Sequence, residues 1–408
     1  MSRSRVHLGD SHNFGRRVSL LEGRVRKPRT IVWEWLMLAA DSPLRKLLAD
    51  AADRDGLGRD AFGFLPDLKF SPSRGPDGGE VERIELSPLP DLSSEGRRAL
   101  ARIVGRSLAL WSWLGVSDLH WENLVLGVDA SGSRRVVFAP LDIEIILAEL
   151  SLPTETKLLP DADPEYAEIS RHACGVRRVL PYLGKPIAAA DLLAMASAYR
   201  STLVFLDRHA REIADVFGQL PALRETPIRV IVRGTGEYVR ARSEPPWPPL
   251  LDAEAEQLAR GDIPYFFRLY GKAGIHYYGD EALEQLKTIP RAGDVPQLDP
   301  ILQIARAFRT PSRKSLREEG LFTLLGAFDH ASLAGTQELA VGDRATSDGL
   351  SVTFKKRTLV VKLPDGEELE SRRNLRGFVG SVYLPCRCGE VRSVFVPKVT
   401  VCEPDGAP

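Results

Sequence analysis

The chain has 408 residues, with 55 lysines plus arginines balanced by 55 aspartates plus glutamates, so no global field favours nucleic acid or anionic lipid and any basic function must be local. That length suits two or three domains or one bilobal protein with a large core. The longest apolar runs, such as LALWSWLGV at 108–116, are too short to span a bilayer, the N-terminus lacks an apolar signal core, and the 4 cysteines do not make a disulfide framework, so a cytoplasmic protein is expected.

Near the N-terminus, LGDSHNFG sets Asp10 and His12 two residues apart. They can act as an acid/base pair, or the carboxylate can orient the imidazole; a loose terminal segment reads the same way. Residues 18–27, VSLLEGRVRK, predict two short strands around a Glu22-Gly23 turn, the second ending in Lys27. Pro28 suits a first helical turn, so PRTIVWEWLMLAA predicts a helix directly after that strand. Lys27 can pair with nucleotide phosphates as a point charge, with Glu34 on the helix to hold it. A solvated basic edge is the plainer alternative. Residues 65–92, rich in Pro, Gly, Asp and Ser, predict an irregular connection.

Leu100, Ile103, Val104, Leu108 and Trp111 recur at helical spacing and predict a helix through about residues 95–113. It leads into SDLHWENLVL at 117–126, where Asp118, His120, Glu122 and Asn123 stand among apolar residues. A turn-rich DASGSRR and a β-branched strand, RVVFAPLDIEIIL, then carry Asp142. In kinase-type phosphoryl transfer an aspartate orients the hydroxyl, an asparagine five residues later binds Mg²⁺, and an aspartate on the next strand end completes the metal site. Asp118, Asn123 and Asp142 have that order, and Mg²⁺ favours such hard oxygen ligands beside phosphate. An Asx-turn closing a loop gives the same spacing.

Residues 190–218 predict helix, and IRVIVRGTGEYV at 228–239 predicts a strand entering a polar turn. Arg229 and Arg233 share a face of such a strand, and with Thr235 they form a guanidinium-and-hydroxyl pocket for phosphate. A basic strand edge is the alternative. After about residue 340 the pattern turns to strand periodicity with an Asp365-Gly366 hairpin turn, predicting a small β-rich unit. Cys386, Cys388 and Cys402 fall short of zinc spacing and read as strand cysteines.

The ordered set DSHNFG, RVRKPRT, SDLHWENL, APLDIEI, RVIVRGTGEY and RGDIPYF, over about residues 9–270, resembles the dehydratase domain of class II lanthipeptide synthetases. What the resemblance implies is an α+β, bilobal protein/lipid-kinase-like fold with a small β-rich C-terminal appendage. Residues 1–94 would form the N-terminal lobe and its connection, 95–338 the C-terminal lobe, and 339–408 an appendage of unassigned role. The implied activity phosphorylates Ser/Thr of a ribosomal precursor peptide with ATP and Mg²⁺. It then eliminates the phosphate to leave dehydroalanine or dehydrobutyrine. Matched residue by residue, Lys27, Asp118, His120, Asn123, Asp142 and Glu144 fall on phosphorylation positions, with Asn123 and Asp142 toward the metal. Asp10, His12, Arg229 and Thr235 fall on elimination positions. The family's cyclase domain has no counterpart in the sequence, so cyclisation is not expected and a separate cyclase is a candidate partner beside the precursor peptide; no nucleic acid and no membrane span are expected. The alternatives are a kinase-like phosphotransferase that stops at the phosphate and a non-catalytic peptide-binding partner of a separate synthetase.

Overall fold

The computed structural model describes residues 6–372 apart from 73–77, 131–133, 149, 151, 161–172, 185–186, 247–248, 270–271, 290–311, 330–343 and 355–357. At the N-terminus, β1 (Val6–His12), β2 (Arg16–Leu21) and β3 (Arg24–Lys27) form an antiparallel meander through the expected Glu22-Gly23 turn. The stretch expected to be irregular supplies three short strands, of which β4 (Phe70–Pro72) and β5 (Gly79–Glu82) join this sheet. β5 pairs with β3, which gives a five-stranded sheet in the order β1-β2-β3-β5-β4. Its glycines explain why a central strand looks like a turn. A Cβ on Gly78 would lie 2.0 Å from the Lys27 carbonyl oxygen, and one on Gly79 would lie 2.4 Å from Ile31 Cδ1. Only bare backbone can run beside the end of β3.

The first helix, α1 (Val32–Leu38), starts later than Pro28 suggested, and buries Trp33, Glu34, Leu36, Met37 and Leu38. α2 (Pro43–Arg54) follows; the Ser42 hydroxyl accepts from the Arg45 N–H at 3.1 Å and caps it. α3 (Ser94–Trp113) occupies the expected span and is capped by Ser93, which accepts from the Gly96 N–H at 3.2 Å. Its buried stripe packs against α4 (Ala189–Arg208), where Gly105 permits close approach, since a Cβ there would fall 2.1 Å from the Met195 carbonyl oxygen. α5 (Ala210–Gly218) continues that helical region.

β6 (Leu86–Ser87), β7 (Leu124–Asp129) and β8 (Val136–Pro140) form a three-stranded antiparallel sheet, with Val137, Phe138 and Ala139 buried. The strand expected to run on through Leu147 ends at Pro140. Beyond it the backbone bonds outward to three different segments: the Leu141 N–H to the Asn123 carbonyl, the Ile145 carbonyl to Ser117, and the Glu144 carbonyl to Arg229.

A third sheet, β12-β11-β10-β9, joins β9 (Pro227–Val230), β10 (Phe266–Leu269), β11 (Lys272–Tyr278) and β12 (Leu286–Thr288). Alternation splits its side chains between two apolar clusters. Val230, Phe266 and Tyr277 enter one; Tyr265, Phe267, Leu269 and Tyr278 enter the other, against which Phe14 packs. The strand expected to carry both Arg229 and Arg233 stops at Val230, and the helices α6 (Thr235–Arg240) and α7 (Asp252–Ala259) come next.

After α8 (Ser312–Asp329), the strands β13 (Arg344–Ser347), β14 (Leu350–Phe354), β15 (Thr358–Lys362) and β16 (Glu368–Arg372) form an antiparallel meander. This unit is more closely integrated than an appendage. Leu350, Val352, Val361 and Leu363 belong to the same core as α3 and α4, and Arg102 forks onto Asp348 at 2.8 and 3.0 Å. Cys386, Cys388 and Cys402 lie outside the described residues. Among the described residues, no helix is long and apolar enough to cross a membrane.

Candidate functional site

The loop between α3 and β7 is held from behind. The Ser117 hydroxyl donates to the Glu155 carbonyl at 2.6 Å, and the Leu119 N–H donates to the Thr156 carbonyl at 2.9 Å. Leu119 is buried, so the residue between these anchors is forced outward. Asp118 has φ +66°, a conformation that costs a non-glycine residue about 1–3 kcal/mol even though aspartate tolerates it better than most. Asn123 closes the loop by donating its amide to the Asp118 carbonyl at 2.9 Å. The Asn123 backbone carbonyl accepts from the Leu141 N–H at 3.0 Å, which draws Asp142 toward the loop.

Arg29 is the hub of charge beside it. Its guanidinium donates to Glu34 at 2.6 Å and also to Asp142 and Glu144. Lys27 donates to Asp142 Oδ1 at 3.0 Å and to the Leu141 carbonyl at 3.1 Å. Arg229 donates to Glu144 Oε2 at 2.7 Å through its side chain and to the Glu144 carbonyl at 2.9 Å through its backbone. A planar fork can serve three carboxylates at once, which a single ammonium does less well. Burial pushes the Asp142 and Glu144 carboxyls up, but the neighbouring cations overrule it: Arg29, then Lys27 and Arg229, hold Asp142 well below its ordinary 3.8. Arg29 and Arg229 likewise hold Glu144 below 4.5.

His12 lies within electrostatic reach of Arg229 and Glu144. Its Nδ1 donates to the Ile263 carbonyl at 2.8 Å, which fixes the tautomer and leaves Nε2 as the lone-pair nitrogen. Tyr265 stands 5.6 Å from the imidazole, and the Arg229 guanidinium lies 5.5 Å from the same Tyr265 ring. Burial and the Arg229 charge lower the His12 pKa below 6.5, so the ring is neutral at neutral pH.

Two expected arrangements are corrected. Glu34 does not hold Lys27; with α1 starting at Val32, Glu34 meets Arg29, and Lys27 turns to Asp142. Arg233 does not join Arg229 either. The strand ends before it, and Arg233 pairs with buried Glu254 at 2.8 Å. Thr235 opens α6 and is exposed, with no hydrogen bond to the cluster among the described residues. Asp10 is exposed, although its charge reaches His12. His120 bridges Cys174 through its backbone, and its ring lies 3.9 Å from Glu122.

Three residues of the cluster escaped the sequence reading. Arg29 had a signal, since it stands two residues from Lys27 on extended chain and so shares its side. Lys157 and Tyr265 had none. Lys157 donates to Asp118 Oδ1 at 2.8 Å across 39 residues of chain. Burial raises the Asp118 carboxyl, but Lys157, Arg229 and His120 together hold it below 3.8. Lys157→Met is therefore expected to move the acid limb of any Asp118-dependent rate to higher pH, because the carboxylate then protonates sooner as pH falls. A pH–rate profile with an unmoved limb would contradict this role.

Among the described residues no group of three or more His, Cys, Asp or Glu side chains is placed to hold a metal. A Mg²⁺ ion needs less from protein when phosphate oxygens complete its shell. Asp142, kept ionised, and Asn123, whose amide nitrogen is already used and whose oxygen remains, fit that smaller demand. A scan against protein-family models and a search of curated proteins both return no match to this chain.

Proposed function

We propose that this chain is a lanthipeptide-type dehydratase that phosphorylates Ser or Thr of a ribosomally made peptide and then eliminates the phosphate. The carrying observation is the convergence of Lys27, Asp142, Glu144, Arg229 and His12 with the strained Asp118 loop. The order of elements supports a kinase-like reading by analogy: an antiparallel sheet with a lysine ending its third strand, a helix, then α3, the Asp118–Asn123 loop, the β7–β8 hairpin and Asp142.

Bound Mg²⁺·ATP would supply the phosphoryl group, with Asn123 and Asp142 holding the metal. The remaining work falls to the chain itself. Lys27 exchanges Asp142 for nucleotide phosphate as its partner. Asp118, with its low pKa, orients the substrate hydroxyl rather than acting as a strong base. In the second half-reaction His12 Nε2 takes the α-proton, the C–O bond breaks as the double bond forms, and the departing phosphate leaves toward Arg229. Neutral His12 has the lone pair that this step needs.

One observation favours a second reading, a phosphotransferase that stops at the phosphate: Thr235 stands exposed at the start of α6. Mass spectrometry of Ser/Thr peptides incubated with protein, ATP and Mg²⁺ separates them. The dehydratase reading expects products short of one water per modified residue. Phosphopeptide alone would support the second reading, and unmodified peptide would contradict both.

A further inference from the structure

The β1–β2 turn carries a conformational oddity that the proposed chemistry does not explain. Asn13, Phe14 and Gly15 have φ of +47°, +68° and +79° in succession. Consecutive left-handed residues are disfavoured for L-amino acids, a bulky aromatic most of all. Such a run turns its N–H groups inward and forms a nest for an anion. The anion here is Asp262, whose Oδ2 accepts from the Phe14 N–H at 2.7 Å and whose Oδ1 accepts from the Gly15 N–H at 2.9 Å. Asp262 has no solvent exposure.

The neighbours of Asp262 extend this grip along the turn. The Ser11 hydroxyl donates to the Gly261 carbonyl at 3.2 Å, the Ile263 N–H donates to the Ser11 carbonyl at 2.8 Å, and His12 Nδ1 donates to the Ile263 carbonyl at 2.8 Å. The Arg260 guanidinium covers the Phe14 ring at 3.9 Å. Residues 260–263 thus form a template that grips residues 11–15 from nearly 250 positions away in the chain. The same segment continues to Tyr265, against which His12 and Arg229 both lie.

We propose that Asp262 is a positioning residue for the elimination half-reaction, holding the strained turn so that His12 presents Nε2 beside Arg229. This rests on the dehydratase reading above. Among the described residues the hydrogen bonds of the Asp262 carboxylate go to Phe14 and Gly15 of the β1–β2 turn rather than to Lys27 or the Asp118 loop, so its loss is expected to act on one half of the chemistry. A carboxylate is required because two N–H donors converge on it; an amide offers one acceptor oxygen and turns a donor toward a donor.

The test gives wild type and Asp262→Asn two substrates in separate assays: unmodified Ser/Thr peptide with Mg²⁺·ATP, and the same peptide already phosphorylated. Elimination by Asp262→Asn is expected to fall about tenfold or more, as small misplacements of a reacting group commonly cause. Phosphorylation is expected to stay within about twofold of wild type, so phosphopeptide accumulates. Unchanged elimination, or an equal fall in both halves, overturns the proposal. If Asp262→Asn does not fold, Ser11→Ala decides in its place by the same selective criterion. Wild type that fails to eliminate from the phosphopeptide defeats the dehydratase reading instead, and is thereby distinguished.

Discussion

Arg29→Met is expected to destabilise the protein by about 3–5 kcal/mol, the usual cost of removing one partner from a buried ion pair. The Arg29 side chain is 8% exposed and its partners Glu34 and Glu144 are 2% and 14% exposed, so water cannot replace the lost guanidinium well. Methionine keeps much of the aliphatic stem, and the loss is therefore electrostatic rather than one of packing. The stranded carboxylates respond by taking up protons in the folded state. This fixes the sign of the pH dependence. Asp142 and Glu144 have folded pKa values below their ordinary 3.8 and 4.5, so their contribution is fully present above those values and is lost as pH falls below them. The gap between wild type and Arg29→Met should accordingly narrow in acid. Arg29→Lys is expected to recover only part of the stability, because a point charge cannot span three carboxylates. Urea unfolding at neutral pH and at about pH 4 measures all of this; equal midpoints for wild type and Arg29→Met would refute the hub.

How much of this arrangement could be read from the sequence depended on distance along the chain. The β2–β3 hairpin, α3 and the placement of Asp142 just past a strand are local patterns, set by a Glu-Gly turn, an apolar stripe and a β-branched run. β4 and β5 were hidden because three or four residues rich in Pro and Gly carry no periodicity, and their identity comes only from pairing with β3. The same limit applied to the site. Lys27 and Asp142 were visible as residue types in a suggestive order, but which cation met which carboxylate was not. Lys157 on Asp118 and Asp262 on the β1–β2 turn are long-range pairings with no local mark. Pairing Glu34 with Lys27 went wrong because the start of α1 shifted by about one turn, which is enough to change a partner.

Asp142→Asn is expected to reduce phosphorylation by about 10³-fold, comparable with losing one preorganised electrostatic contact to the reacting group. The substitution is nearly isosteric, and Arg29 keeps Glu34 and Glu144, so the fold should survive far better than in Arg29→Met. What is lost is the anion shared by Lys27 and Arg29 and the only carboxylate assigned to the metal. Elimination from a peptide that is already phosphorylated should fall much less, because Arg229, Glu144 and His12 remain in place. Single-turnover assays of each half separate the two effects. Equal losses in both would mean that Asp142 supports the cleft as a whole rather than phosphoryl transfer.

The most direct measurement is calorimetric titration of Mg²⁺·ATP into wild type and Asp142→Asn. Wild type is expected to bind saturably and only with the metal present, and Asp142→Asn to bind about tenfold more weakly or worse, a difference of about 1.4 kcal/mol. Absence of saturable binding to wild type, or equal affinity in the two proteins, would contradict the assignment of this charged cleft to a nucleotide.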